Sequence, residues 1–294
     1  MNPLELFKDP NVSDILIDGD RDILIEVNGE LRSSGIKFES NSLTHSFAKE
    51  LLLNTNVRFD LNMPFGEANI ESEYGKLRVH CVNGGECSEN TLISVRRHPT
   101  SHLSINELQQ KGFMDGEQLF ELQEIIRSRK NFVIIGATGT GKTTLLRAML
   151  NEAQIERIIT IEDSAELNLH GRSVSLFTRA SNQDGFGEIG LSELVRQSLR
   201  MRPDRIVIGE ARGEELKVLV NALNTGHQGA GFTLHANGIK DVITRLRAIL
   251  ASAGLESKLS DQMIQSSIDF VLEVSKVDGA RKLVEISAMG DLYE

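Results

Sequence analysis

A glycine-rich stretch near the middle of the chain has the spacing of a phosphate-binding loop. It fits the pattern G-x-x-x-x-G-K-[ST] in full, through Gly136, Ala137, Thr138, Gly139, Thr140, Gly141, Lys142, Thr143 and Thr144. A buried strand is predicted immediately before the loop and a helix from about Lys142, which is the context that such a loop requires. Its backbone N–H groups point at phosphate oxygens, and the helix N-terminus adds partial positive charge. We therefore predict a nucleoside triphosphate site in which Lys142 reaches the β- and γ-phosphates and the Thr143 hydroxyl ligates Mg²⁺.

Acidic residues follow the next two predicted strands. The first of these strands ends in Glu162, Asp163 and Glu166, and the second ends in Gly209 followed by Glu210. The C-terminal ends of parallel strands are where open α/β sheets bind ligands. We predict that Glu210 polarises a water against the γ-phosphate and that Glu162 and Glu166 are further catalytic residues, with Glu166 holding Mg²⁺ through water. For Asp163, a role as a helix N-cap is an equal alternative.

Two histidines frame the predicted fourth strand, His227 before it and His235 after it. No cysteine or third histidine accompanies them, so a metal site is not favoured. We predict that they act as sensors, because a histidine in contact with the γ-phosphate or the acidic cluster reports the nucleotide state. Arg212, two residues after Glu210, completes the candidate catalytic set of this half of the chain.

The elements that must position these residues alternate between strands and helices. Apolar strands at 132–135, 158–161, 206–208 and 232–234 are separated by amphipathic helices, a pattern typical of a parallel sheet covered on both faces. Two late strands around Asp278–Gly279 are predicted to form a hairpin. The first hundred residues show short strands, a helical segment at 43–54 and a turn at Asn28–Gly29, which together indicate a small α+β unit. We predict an α+β domain at 1–98, a linker at 99–114 and an α/β domain at 115–294.

Composition narrows the classes of protein that remain. The 294 residues carry 32 basic and 42 acidic side chains, a net charge of −10, which argues against binding of DNA or RNA. No apolar run is long enough to span a bilayer, and the N-terminus lacks the pattern of a signal peptide, so we expect a cytoplasmic protein. The two cysteines, Cys81 and Cys87, are expected to be free thiols.

Together, the four motifs in this order resemble the type II/type IV secretion (traffic) and pilus ATPase superfamily. In that family the segments are called Walker A, Asp box, Walker B and His box, and here they correspond to 136–144, 160–166, 206–210 and 225–235. The stretches at 199–205 and 224–229 are similar to the conjugation (VirB11-like) and tight-adherence (TadA/CpaF-like) branch. The likeness covers the whole C-terminal half and, more loosely, the N-terminal domain.

The resemblance implies a ring-shaped homohexamer that hydrolyses ATP with Mg²⁺ and powers secretion, conjugation or pilus assembly, peripherally at the inner face of the cytoplasmic membrane. It implies an N-terminal PAS-like α+β domain over a RecA-like P-loop NTPase core, with ATP held between them and arginines completing the site. The arginines of the family's N-terminal domain fall on Arg78 and Arg96, whereas Arg97 is expected to be a surface or salt-bridged residue. An inner-membrane platform protein is the implied partner, and no nucleic acid is expected.

Three alternatives stand beside this interpretation. A pilus-retraction motor of the same superfamily shares the chemistry and differs only in the direction of work. A small-molecule P-loop kinase is less favoured, because residues 145–157 contain no arginine-rich lid. A RecA-like DNA translocase is opposed by the net charge, and stimulation of ATP hydrolysis by single-stranded DNA distinguishes it from the other readings.

Overall fold

The chain folds into two compact units, each with its own sheet. The computed structural model describes residues 2–27, 29–55, 57–85, 87–98, 103–179, 181 and 186–293. The first unit comprises Met1–Ser101 with Ser181–Glu188, and the second comprises His102–Ala180 with Ile189–Glu294. The domain bounds 1–98, 99–114 and 115–294 stay a prediction, and residues 99–102 of the predicted linker lie outside the described residues. Four side chains of that linker are buried in the hydrophobic core of the second unit: Ile105, Leu108, Phe113 and Met114.

The described part of the first unit is a six-stranded antiparallel sheet with one α-helix and one 3₁₀-helix. Its elements are a 3₁₀-helix at Pro3–Lys8, β1 Val12–Asp18, β2 Asp22–Val27, β3 Glu30–Lys37, α1 Asn41–Leu52, β4 Phe65–Ser72, β5 Gly75–Val82 and β6 Leu92–Arg97. The strand order β3-β2-β1-β6-β5-β4 joins two meanders through β1 and β6. This arrangement agrees with the predicted α+β domain. The hairpin between β2 and β3 is present, although Asn28 of its predicted turn lies outside the described residues.

Alternation along the strands gives this sheet one covered face. In β1, Ile15 and Ile17 are buried, and they belong to one core with Phe47 and Leu51 of α1. The spacing of the buried α1 residues is that of an amphipathic helix. Arg97, at the end of β6, donates hydrogen bonds to four backbone carbonyls of residues 7–12 and lies 5.1 Å from the ring centroid of Phe7. It therefore fixes the N-terminal segment.

The second unit is built around a seven-stranded sheet. Its elements are α2 Ile105–Gln110, α3 Gly116–Arg127, β7 Phe132–Ile135, α4 Lys142–Leu150, a 3₁₀-helix at Asn151–Ala153, β8 Ile158–Glu162, β9 Ser173–Phe177, α5 Leu191–Ser198, β10 Arg205–Ile208, α6 Glu215–Leu223, β11 Gly231–Leu234, α7 Ile239–Ser252, α8 Ser257–Ser267, β12 Phe270–Val277, β13 Ala280–Ala288 and a 3₁₀-helix at Gly290–Tyr293. A capping box of Asp115 and Gln118 begins α3.

Packing on both faces explains why the central strands are apolar throughout. The order is β13-β12-β7-β11-β10-β8-β9, parallel except for the β12–β13 hairpin. One core lies between the sheet and α5 to α8, and the other between the sheet and α2 to α4. Every residue of β7, β8, β10 and β11 is buried. The carboxyl ends of these four strands share one edge of the sheet, so the four motifs that follow them are brought together. Among the described residues, no helix is both long and apolar enough to cross a membrane.

The phosphate-binding loop leaves β7 through a close approach of two backbones. Gly136 has φ 145°, and a Cβ atom placed on it would lie 2.1 Å from the carbonyl oxygen of Val274 in β12. Gly139, at the exposed tip of the loop, also has a positive φ of 74°, but a Cβ atom there would meet nothing within 4 Å. The first glycine is therefore required by packing as well as by its backbone conformation, and the second by conformation alone.

These two glycines give a matched pair for a stability test. We expect Gly139→Ala to cost about 1 kcal/mol of unfolding free energy, from the left-handed backbone alone. Gly136→Ala should cost at least about 2 kcal/mol more, because β7 and β12 must separate to admit the methyl group. Urea unfolding of both variants beside the wild type measures the difference. Equal losses in the two variants would show that the approach of β12 does not constrain the loop.

Candidate nucleotide-binding site

The ammonium group of Lys142 is held inside the loop by backbone oxygens. Its Nζ donates to the carbonyls of Gly136 at 2.8 Å and Ala137 at 2.9 Å, and the residue is only 7% exposed. Burial lowers the pKa of Lys142, and the charge of Glu210 opposes that shift. In the part of the chain that the structure describes, Lys142 forms no ion pair. A buried cation at a helix N-terminus without a carboxylate partner is suited to receive an anion.

His235 links Lys142 to the glutamate after β10. Its Nδ1 lies 3.2 Å from Lys142 Nζ, and its Nε2 lies 3.4 Å from Glu210 Oε1. An ammonium group only donates, so Nδ1 must accept and the proton of the neutral ring is on Nε2, facing Glu210. Burial and the nearby Lys142 charge both lower the pKa of His235. The ring is therefore neutral at pH 7 and bridges the two residues by donating to one and accepting from the other.

A second pair of charges continues this chain toward the end of β8. Arg212 Nε lies 4.0 Å from Glu210 Oε1, and an Arg212 guanidinium NH₂ group contacts the Asp163 carboxylate. Thr178 donates to the other Asp163 oxygen at 3.1 Å. Asp163 is not a helix N-cap, because the element that follows it is the strand β9. The end of β8 is thus tied through Arg212 to the end of β10.

Glu162 is used inside the fold. Its Oε1 accepts from the N–H groups of Glu166 at 3.1 Å and Leu167 at 2.8 Å, and Thr160 donates to Oε2 at 3.2 Å. Burial raises its pKa to about 7, although these hydrogen bonds act in the opposite direction. A Cβ atom on Gly209 would lie 3.1 Å from Glu162 Cγ. A Walker B strand ordinarily ends in Asp. Here Gly209 takes that place after β10 and leaves room for the Glu162 side chain.

The turn that Glu162 organises carries Glu166 to the surface. Arg147 of α4, which is 4% exposed, interacts electrostatically with the carboxylates of Glu162 and Glu166. Sequence reasoning did not single out Arg147 or the pairing of Arg212 with Asp163. A charged residue among the apolar positions of α4 was the available signal for Arg147, whereas the Arg212 pairing depends on the order of the strands in the sheet.

The remaining loop residues lie where the motif predicts. Ala137, Thr138 and Gly139 form the exposed tip, and the Thr140 hydroxyl donates back to the Ala137 carbonyl at 2.9 Å. Gly141, with φ 102°, is the N-cap of α4. Thr143 and Thr144 follow in its first turn and are half-buried.

His227 is not brought to this edge of the sheet. It precedes β11, whereas His235 follows that strand, and four extended residues separate the two ends by about 13 Å. Its Nδ1 donates to the Ala222 carbonyl at 3.2 Å. The structure thus gives His227 a contact that closes the turn after α6, and its catalytic role stays a prediction.

Arg78 and Arg96 lie side by side in the first unit. They are direct partners across β5 and β6, and Asp14 of β1 is the next residue in the same row. Arg78 donates twice to Glu67 Oε1, at 2.6 and 2.9 Å. The Arg96 side chain is 63% exposed, with Nε 3.7 Å from Asp14 Oδ1. Both alternate with the buried residues of their strands, so they occupy the sheet face opposite α1.

Comparison with known proteins gives the family. The family model described as "Type II/IV secretion system protein" matches residues 1–283. A putative conjugal transfer protein of Mycobacterium tuberculosis is 35% identical over 283 residues, which cover 94% of this chain and 80% of that protein. The type IV secretion system protein VirB11 of Bartonella henselae is 30% identical over 181 residues, 60% of this chain and 51% of that protein.

A solved structure supports the fold. The pilus retraction motor PilT with bound ADP superposes with a TM-score of 0.73 at 21% identity, covering 98% of this chain and 83% of that one. The predicted architecture, an α+β domain followed by a RecA-like core, is confirmed, and so is the superfamily predicted from the four motifs. The chain belongs to the type II/IV secretion system protein family.

Proposed function

We propose that this chain hydrolyses ATP as a homohexameric motor that powers secretion, conjugation or pilus assembly. The observation that carries the proposal is the row of contacts from Lys142 through His235, Glu210 and Arg212 to Asp163. It connects all four motifs at one edge of one sheet. An arrangement of this kind ties the state of the phosphate loop to the ends of three other strands.

The residues present fit a nucleoside triphosphate. Among the described residues, the partners of the Lys142 ammonium are backbone carbonyls and a neutral imidazole, so a phosphate oxygen would supply its counter-charge. The loop supplies backbone N–H groups for the same phosphates. Thr143 and, through water, Glu166 are the residues that would hold Mg²⁺, whose charge offsets that of the phosphates. Among the described residues no cluster of three metal-ligating side chains occurs, and Mg²⁺ in such sites is held largely by phosphate and water.

Glu210 is the proposed general base. It is 38% exposed, so a water molecule has access to its carboxylate, and the Nε2–H of His235 orients one of its oxygens. The Arg212 guanidinium, whose Nε lies 4.0 Å from Glu210 Oε1, places a positive charge beside the same carboxylate. When Lys142 turns toward a phosphate, its contact with His235 changes. Through His235 the change reaches Glu210, which couples substrate binding to positioning of the base.

Arg78 and Arg96 are the proposed arginines that stabilise the charge of the transferred phosphoryl group. Arg96 is the better suited, because its one carboxylate contact among the described residues, with Asp14 at 3.7 Å, leaves the guanidinium available. Arg78 must first leave Glu67, to which it donates twice. A guanidinium brought to the γ-phosphate neutralises charge that develops in the transition state.

The assembly and its surroundings follow from the family assignment as part of this proposal. We place the hexamer peripherally at the inner face of the cytoplasmic membrane, in contact with an inner-membrane platform protein, with no nucleic acid as substrate. The likeness to PilT shows the fold alone, so extension and retraction remain equally open. The family assignment favours a motor over a small-molecule kinase.

Two substitutions separate binding from turnover. Lys142→Ala should abolish nucleotide binding, because it removes the only cation within the loop among the described residues. Glu210→Gln should bind ATP normally but lower kcat by at least about 10²-fold. Glu193→Gln makes the same chemical change on the exposed face of α5 and should leave both unchanged. Turnover of Glu210→Gln at the wild-type rate would remove Glu210 as the base.

The non-hydrolysing variant also tests the ring. Light scattering of Glu210→Gln with Mg-ATP should give a mass near that of six chains. A monomer or dimer with and without nucleotide would contradict assembly of a ring in solution.

Arg96→Ala tests the proposed arginine. We expect kcat to fall by about 10³-fold with little change in KM, since the guanidinium acts on the transition state. Arg32→Ala, which removes an exposed and salt-bridged arginine from β3 of the same unit, is the control. A rate within twofold of the control would make Arg96 an ordinary surface residue.

Glu162→Gln distinguishes a catalytic carboxylate from one that positions the turn. Because the pKa of Glu162 is raised in the folded protein, the unfolding free energy of the wild type falls as pH rises from 4.5 toward about 7. Glutamine carries no such penalty, so the stability of the variant relative to wild type should increase by up to about 3 kcal/mol between about pH 5 and about pH 8. Urea unfolding at both pH values measures this change, and kcat should stay within a few-fold. A 10²-fold loss of kcat with no pH-dependent stability difference would instead assign Glu162 to catalysis.

A further inference from the structure

A cavity of about 380 Å³ lies at the edge of the second unit's sheet opposite the phosphate-binding loop. Its lining consists of Arg157, Arg172, Ser173, Val174, Arg202 and Asp204. These residues precede or begin β8, β9 and β10, whereas the nucleotide site follows the carboxyl ends of the strands. A five-residue strand such as β8 spans about 17 Å, so the cavity and the nucleotide site are separate.

The strand order is what makes the arginines converge. In the sheet, β8 lies between β10 and β9. Arg157 immediately precedes β8, Arg172 immediately precedes β9, and Arg202 lies three residues before β10. Neighbouring parallel strands are about 4.8 Å apart, so their amino ends place these three arginines along the lining of one concave space.

The chain supplies little negative charge to this space. Asp204 is the one acidic residue among the described residues that line the cavity, and its Oδ2 accepts the backbone N–H of Arg157 at 2.7 Å. Arg157 Nε donates to the Met201 carbonyl at 3.0 Å. Within the described parts of the chain, neither Arg172 nor Arg202 forms an ion pair. Three guanidinium groups and one carboxylate therefore leave a net charge of about +2 in the cavity.

Two other arginines at this edge of the sheet, Arg205 and Arg129, have a carboxylate partner. Arg205, which is fully buried, and Arg129 both contact the carboxylate of Glu156. The fold therefore does provide a carboxylate where an arginine at this edge has a structural role. No described carboxylate pairs with Arg172 or Arg202, and both arginines line a cavity large enough for a small ligand.

We propose that this cavity binds the phosphate group of an anionic ligand, at a site distinct from the nucleotide site. Guanidinium groups present paired N–H donors that match phosphate oxygens, and three of them around one cavity suit a compact, multiply charged group. An acidic peptide segment spreads its charges along an extended backbone, which fits a concave site of this size less well. The phosphate belongs either to a soluble compound or to a lipid with a phosphomonoester headgroup.

Equilibrium dialysis of the full chain against radiolabelled pyrophosphate tests the site. The Lys142→Ala background removes binding at the nucleotide loop, and one pyrophosphate per chain should remain. Adding Arg172→Ala and Arg202→Ala should weaken that binding by at least about 100-fold, since each arginine supplies a charge-assisted contact worth about tenfold or more. Adding Arg196→Ala, which removes an exposed arginine of α5, should leave it unchanged. Arg172→Lys with Arg202→Lys keeps the charge and should give an intermediate affinity.

Three results would overturn the proposal. The first is equal pyrophosphate binding by the Arg172→Ala, Arg202→Ala variant and the Arg196→Ala control. The second is no pyrophosphate binding in the Lys142→Ala background. The third is binding of polyglutamate, in place of pyrophosphate, that depends on Arg172 and Arg202. If Lys142→Ala does not fold, the same count is made without it. Two pyrophosphates per wild-type chain should then fall to one in the Arg172→Ala, Arg202→Ala variant, and an unchanged count would contradict the site.

Vesicles identify the source of the phosphate. Phosphatidylcholine vesicles containing phosphatidic acid, with pure phosphatidylcholine as the reference, are sedimented with each variant. Sedimentation that requires Arg172 and Arg202 assigns the phosphate to a lipid headgroup. Binding of pyrophosphate without such sedimentation assigns it to a soluble ligand, and both results support the site.

Discussion

The nucleotide site is arranged around the buried Lys142 ammonium, which has no carboxylate partner in the described part of the chain. An unpaired buried charge costs several kcal/mol, which backbone dipoles and hydrogen bonds must offset. The carbonyls of Gly136 and Ala137 do this, and they can do so only if the chain turns sharply after β7. This sharp turn requires glycine at position 136, because the backbone of β12 lies too close to admit a side chain. The neutral form of His235 is part of the same balance, because a protonated ring would face the ammonium.

The strand order determines which residue completes this balance. Because β11 lies between β7 and β10, the residue after β11 stands between the loop and the residue after β10. His235 therefore reaches both Lys142 and Glu210. The sequence predicted β7, β8, β10 and β11 within one residue at each end, since each is a short apolar run beside turn residues. Their order in the sheet is a long-range property that no local pattern encodes. The contact between Arg212 and Asp163 depends on that order, so it could not be predicted from the sequence.

Elements without a chemical motif were the harder part of the sequence. The strand β9 has alternating, half-exposed residues, and α7 and α8 follow the His box where no further motif draws attention to them. Glu162 shows the corresponding difficulty within the site. A glutamate after a parallel strand suggests catalysis, but whether its carboxyl points outward or into the turn depends on the space beside Gly209. For Arg96 and Arg97, adjacency in a strand guarantees opposite faces, yet only tertiary packing decides that the second one fixes the N-terminal segment.

Along the edges of the second unit's sheet, the distribution of carboxylates separates a cation that supports the fold from the cations that we propose to bind a ligand. Acidic residues outnumber basic ones by 42 to 32, so a shortage of carboxylates does not explain an arginine or lysine that lacks one. At the amino edge of the second unit's sheet, buried Arg205 has a carboxylate partner in Glu156. A single exposed cation needs no partner, because water and salt screen it. Lys142 is different because it is buried, and Arg172 and Arg202 are different because they converge on one cavity. In both places the positive charge is concentrated by the strand ends of the same sheet. The parallel arrangement thus accounts for an anion site at the carboxyl edge and equally for one at the amino edge.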